Sequence, residues 1–182
     1  MLSDTAEAKI HALGGLVPAR GGKLEPLRDG DCDAIEARFG QSLPADYRSF
    51  VTKYGGGMFA NLARCDINQS RFVYVGVYYG DGDDESSPFH IKWAMSVFCE
   101  QMPTNFLPIA ESAGGDGQFC LGVAGSEYGK VFFWDRDEGW SGEEAEYRTQ
   151  GKPFPEELKF QNMTLLADLF EAFLLRLIPK EE

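Results

Sequence analysis

The sequence predicts an α+β fold: a single domain in which one mostly antiparallel β-sheet is covered by N-terminal helices and a long C-terminal helix. Three observations predict it. Ile35–Gly57 carries helical spacing with a defined start and stop. Short segments near residues 72, 106, 118 and 130 are β-branched or aromatic and are separated by turn residues. Met163–Ile178 returns to helical spacing over a longer run.

Taken in order, residues 3–13 predict a helix capped by Ser3 or Asp4, with Ile10 and Leu13 on one face. Residues 14–30, rich in Gly and Pro, read as loop. Asp31 or Asp33 then caps a helix whose Ile35 and Phe39, four apart, share a face. Gly40 ends it. Ser42 is placed to cap the next helix, and Pro44 suits a first turn, where an N–H has no partner anyway. Asp46 favours that helix dipole. Tyr47, Phe50, Val51 and Tyr54 fall at i, i+3, i+4 and i+7, one apolar stripe. Gly55–Gly57 stop the helix, with Gly55 able to take the left-handed C-cap conformation.

Met58–Asp66 fits a strand or a turn of helix. Phe72–Tyr79, FVYVGVYY, reads as a strand buried on both faces. Gly80–Pro88 is a polar loop with a negative run, and Ile91–Gln101 is helical until Pro103. Phe106–Ala110 and Gln118–Val123 form a hairpin around AGGDG. After a turn at Ala124–Gly129, Lys130–Trp134 is the next strand. Asp135–Glu146 is an acidic loop containing Trp140. In the last helix Leu166, Leu169, Phe170, Phe173, Leu174 and Leu177 hold the period, with Asn162 or Thr164 as cap. Tyr47, Phe50, Val131 and Trp134 are assigned to the core.

The chain has 182 residues, 43% of them hydrophobic and 13% aromatic, enough for one domain with a sizeable core. No apolar run approaches the ~20 residues of a membrane span. The N-terminus carries Asp4 and Glu7 where a signal peptide is basic. The expectation is a cytoplasmic protein that neither spans nor binds membrane. Acidic residues number 29 against 17 basic, a net charge of −12. Such a surface repels phosphates, which argues against nucleic acid, and attracts a basic partner.

The sites of sharper chemistry are weak. Cys32, Cys65, Cys99 and Cys120 never form CxxC, and His11 and His90 stand far apart, so no zinc spacing is present. Asp135, Asp137 and Glu146 fall at the first, third and twelfth places of a calcium loop, but Trp140 stands where that loop turns on glycine. The glycines at 114, 115 and 117 precede a strand, so no helix N-terminus faces a phosphate. There is no GxSxG elbow, and His90, at a helix start, suits a capping or surface role. No catalytic residue, metal or cofactor is assigned.

Two blocks of wording are more specific. Leu43-Pro44, Asp46-Tyr47, Phe50 and a Tyr-Gly-Gly ending resemble the signature helix of the SUKH superfamily, which holds fungal cell-wall assembly regulators and bacterial immunity proteins. Phe106-Leu107-Pro108-Ile109-Ala110, Gly114-Gly115-Asp116-Gly117, Phe119-Cys120-Leu121 and Tyr128-Gly129-Lys130-Val131-Phe132-Phe133-Trp134-Asp135 resemble its second block. The likeness covers roughly residues 31–178 and leaves residues 1–30 as an N-terminal extension and 136–162 as insertion-like. Gly55 stands where many members carry Asn, and glycine supplies the same positive φ.

The resemblance implies binding without catalysis: an immunity protein that neutralises a cognate bacterial toxin, a basic nuclease being one such target. The alternative is a regulatory scaffold of the cell-wall regulator type; a small-molecule or metal-dependent enzyme is the outsider. The candidate partner-binding residues are Asp81, Asp83, Asp84 and Glu85 after one strand, and Asp135, Asp137 and Glu138 after another. Together they are expected to form a single negative rim with Trp140 as its apolar anchor. The chain is expected to be a monomer or homodimer.

Overall fold

The computed structural model describes residues 1–19, 25–81, 85–136, 146–147 and 149–180. It is an α+β fold built on one seven-stranded antiparallel sheet. In chain order the elements are helix α1 (Asp4–Ala12), strand β1 (Leu16–Pro18), helices α2 (Asp29–Phe39) and α3 (Ala45–Tyr54), and strands β2 (Gly57–Phe59), β3 (Ala63–Asp66) and β4 (Phe72–Tyr78). Then come helix α4 (Ile91–Phe98), strands β5 (Phe106–Ser112), β6 (Gly117–Gly122), β7 (Val131–Asp135) and β8 (Met163–Ala167), helix α5 (Phe170–Arg176) and strand β9 (Ile178–Pro179). The sheet order is β8-β7-β6-β5-β4-β3-β9, and β1 pairs with β2 apart from it.

The apolar stripe of α3 does what its spacing predicts. Tyr47, Phe50 and Val51 are buried, and so are Val131 and Trp134 on the sheet. The Phe50 ring lies 4.9 Å from that of Tyr78 on β4 and 5.0 Å from that of Phe170 on α5. Phe173 meets Phe119 of β6 at 5.5 Å. This aromatic seam glues α3 and α5 to the middle of the sheet, each ring contributing about 1.5–3 kcal/mol of burial.

The long C-terminal helix does not exist. Met163–Ala167 is a strand that pairs with β7, Val131 opposite Ala167 and Trp134 opposite Met163. Only Phe170–Arg176 is helical, and Ile178–Pro179 returns to pair with β3. The exposed edge of β7 needs hydrogen-bond partners, and an extended segment satisfies that edge where a helix cannot. Neither Asn162 nor Thr164 caps a helix. Asn162 instead donates its side-chain N–H to the Asp135 carbonyl at 2.6 Å.

Smaller differences have local causes. α2 starts at Asp29, earlier than Asp31 or Asp33 implied, because Asp31 accepts the Arg28 N–H from inside the first turn. Pro44 itself occupies the cap position of α3, and Ser42 lies outside it. Gly55 has φ −51°, and the left-handed residue is Gly56, φ +81°. A Cβ on Gly56 would come within 2.7 Å of the Glu25 carbonyl, so both its φ and its crowding demand glycine. Part of the N-terminal extension packs into the core. Ala6, Ile10 and Leu13 are fully buried, and β1 lies within the stretch read as loop.

Candidate functional site

Topology sets two described residues of the expected rim, Asp81 and Asp135, at different ends of the sheet. Neighbouring strands alternate direction, and β4 and β7 are three places apart in the sheet. Tyr78 is level with Ala110, that with Phe119, and that with Phe133. From this shared level β4 runs on toward Asp81, while β7 runs the opposite way to Asp135. The described acidic residues therefore gather at two opposite ends of the sheet. Asp83, Asp84, Asp137, Glu138 and Trp140 lie outside the described residues.

At the first end Asp81 turns inward. Its carboxylate stands 3.1 Å from Arg28 Nε and 3.3 Å from His90 Nε2, and its side chain is nearly covered. His90 is buried, 2% exposed, and its Nδ1 accepts the Lys92 N–H at the start of α4. His90 thus caps that helix from the interior instead of the surface. Glu85 remains exposed, paired with Lys92 Nζ at 2.6 Å. That hydrogen bond holds the Glu85 carboxyl below its ordinary range.

At the second end Asp135 is buried as well. Arg71 ion-pairs with it and with Asp116 at 3.5 Å. Ser112 donates its hydroxyl to Asp116 and accepts the Gly117 N–H at 3.1 Å, which locks the turn between β5 and β6. Asp135, whose carboxylate faces Arg71, is the described member of the calcium-loop pattern's opening. Among the described residues no three His, Cys, Asp or Glu side chains converge to hold a metal ion. The cysteines are free thiols. Burial pushes Cys99 up to about 11 and Cys65 up to about 12, so little thiolate exists at neutral pH. No helix among the described residues is long and apolar enough to cross a membrane.

A surface missed by sequence reasoning lies where helix N-termini meet. Asp46, read as a partner of its own helix dipole, accepts the Glu171 N–H of α5 at 2.9 Å and so caps a neighbour. The Glu171 carboxylate receives the Ser3 N–H at 3.1 Å and the Ser3 hydroxyl, while Ser3 Oγ accepts the Ala6 N–H to cap α1. The starts of α1, α3 and α5 are thereby tied together. Beside this knot a groove of about 550 Å³ runs between Pro44–Asp46, the Tyr128–Gly129 turn, and Leu169, Ala172 and Leu175 of the α5 region. Leu169 is 57% exposed. Its place in a helical period made it look like core. The signal that could have found it is Asp168-Leu169 between two elements, where a short helix starts.

Comparison with known proteins follows the same lines. The profile of the SMI1 / KNR4 family (SUKH-1) matches residues 26–176. The SPbeta prophage-derived uncharacterized protein YokK of Bacillus subtilis (strain 168) is 28% identical over 120 residues, 57% of this chain and 59% of that protein. The chain thus spans somewhat under two thirds of this relative's length.

Proposed function

The chain belongs to the SMI1/KNR4 family (SUKH-1), and from that premise we propose that it is a non-enzymatic binding domain that neutralises a cognate bacterial toxin. The observation that carries the toxin's character is charge. A net charge of −12 attracts a basic protein and disfavours nucleic acid. A nuclease that grips phosphate presents such a basic surface, and carboxylates can occupy it in place of phosphate. The proposed contacts are Asp81, Asp83, Asp84 and Glu85, with Asp135, Asp137, Glu138 and Trp140. Glu85 supports this reading best, because its carboxylate and its Lys92 partner both lie at the surface, while Asp81 and Asp135 are nearly covered and face arginines. No reaction, metal or cofactor is assigned, and the proposed compartment is the cytoplasm.

The test is to co-express the chain with the product of the neighbouring gene and measure protection and binding rates across salt. Association is expected to slow steeply as the Debye length falls from ~10 Å at 0.1 M to ~3 Å at 1 M salt. Asp83→Lys with Asp84→Lys slows association, and Trp140→Ala speeds dissociation. Variants that bind and protect like the parent move the interface elsewhere. Failure of any neighbouring product to bind discards the immunity reading in favour of a regulatory scaffold.

A further inference from the structure

The groove beside the helix knot combines features that rarely coincide on a self-sufficient surface. Of the nine large apolar side chains that the described residues leave exposed, Met1, Tyr128, Leu169 and Leu175 line this one groove. Contiguous exposed apolar surface of this kind marks an interaction site. Carboxylates outnumber cations around it. Asp46 and Glu171 contribute carboxylates to the lining, no described lysine or arginine side chain lines it, and the Met1 ammonium, which does, donates to the Ala45 carbonyl at 3.3 Å. Lys130, next to the Tyr128–Gly129 turn, is held by Glu127 at 3.0 Å. Burial, and then the carboxylates of Asp46 and Glu36, raise the Tyr128 hydroxyl above its ordinary range, as a negative field does. The walls are also pre-set. The hydrogen bonds from Ser3 and the Glu171 N–H fix the starts of α1, α3 and α5 against one another before anything binds.

We propose that this groove is the docking site for a basic segment of a protein partner, which inserts an apolar side chain between flanking lysines or arginines. Apolar walls take the side chain, and the acidic lining takes the flanking cations. Identifying that partner with the toxin rests on the reading above; the chemistry of the segment does not.

The first arm uses defined probes. The full chain, ¹⁵N-labelled, is titrated with a synthetic peptide carrying Leu-Trp between lysines. Two controls replace the lysines by glutamates, or Leu-Trp by serines. The expected result is saturable shifts at Tyr128, Gly129, Ala172 and Leu175 with the first peptide, and binding about tenfold weaker or worse with each control. Tyr128→Ala with Leu169→Ser, checked for an unchanged melting curve, is expected to weaken the first peptide about tenfold as well. Equal binding of the glutamate peptide, or shifts confined to other surfaces, overturns the proposal. If sedimentation shows a dimer of the parent that this double variant dissociates, a second copy fills the groove and the proposal also falls.

The second arm uses the neighbouring gene product. If it binds the parent but loses about tenfold in affinity for the double variant, the groove is its seat. If it binds both alike, the groove is not the toxin's seat and the toxin arm of the inference falls, while the immunity reading stands. If it binds neither, the immunity reading falls and the peptide arm alone decides the groove.

Discussion

The two ends of the sheet start from the same local wording, an aspartate where a strand gives out, and are built differently. Asp81 sits where a strand gives way to a loop and then to α4. Its partners are an arginine that is itself 74% exposed and a buried histidine that caps the next helix. Asp135 closes the sheet. Its N–H reaches the Asn162 carbonyl at 3.0 Å, its carbonyl receives Asn162, and its carboxylate faces Arg71, 64 residues earlier. Both aspartates are nearly covered, but the arginine of the first end stands mostly in water and that of the second is 31% exposed. The difference teaches that an acidic run gives the sign of a charge and not its availability. Availability depends on an arginine that stands far off in the sequence.

Mutations can break or sharpen this contrast. The core between the two ends sets the scale. Phe50→Ala, which empties the space facing Tyr78 and Phe170, is expected to cost ~3–5 kcal/mol, seen as a large drop in the thermal midpoint. An unchanged melt would remove Phe50 from the core. Next comes the Asp135 end. Arg71→Ala removes the arginine that faces the buried Asp135 carboxylate and is expected to cost ~3 kcal/mol in denaturant unfolding. At the Asp81 end Arg28→Ala removes a mostly exposed arginine and leaves Asp81 beside His90, for a loss of about 1 kcal/mol or less. Equal losses at Arg28 and Arg71 would erase the distinction between the ends. The smallest effect is at Glu85, whose pairing with Lys92 is exposed. Glu85→Gln is expected to leave the unfolding midpoint unmoved while slowing association with a basic partner at low salt. A shift in the midpoint would show that Glu85 is structural.

What the sequence made legible was local and periodic. The α3 stripe needed no knowledge beyond 3.6-residue spacing, and the hairpin of β5 and β6 needed only its glycine turn. Met163–Ile178 defeated the same reasoning because its leucines and phenylalanines satisfy a helical period equally well. Nothing within that stretch reports that Val131–Trp134, some thirty residues earlier, has an unpaired edge. The candidate surface failed in a related way. The acidic signs at Asp81 and Asp135 were readable, but the strand parity that sends them to opposite ends is a property of the whole sheet. Tyr128, read in a turn, and Leu169, read as helix core, line one groove beside the helix that Asp46 caps 125 residues further on.

That last span bears on how the chain is made. Ser3 waits for Glu171 across 168 residues, and Asp46 waits across 125. At ~5–20 residues per second of synthesis, α3 leaves a ribosome roughly 6–25 s before the residues that complete its surroundings. Through that interval Tyr47 and Phe50 have no Phe170 to pack against, so the apolar stripe is open to chaperones or to neighbouring nascent chains. Contacts of such sequence separation also place this domain among slow, whole-chain folders. The helix layer is therefore expected to be the last part to gain protection from hydrogen exchange during refolding, although its most recognisable helix is synthesised early.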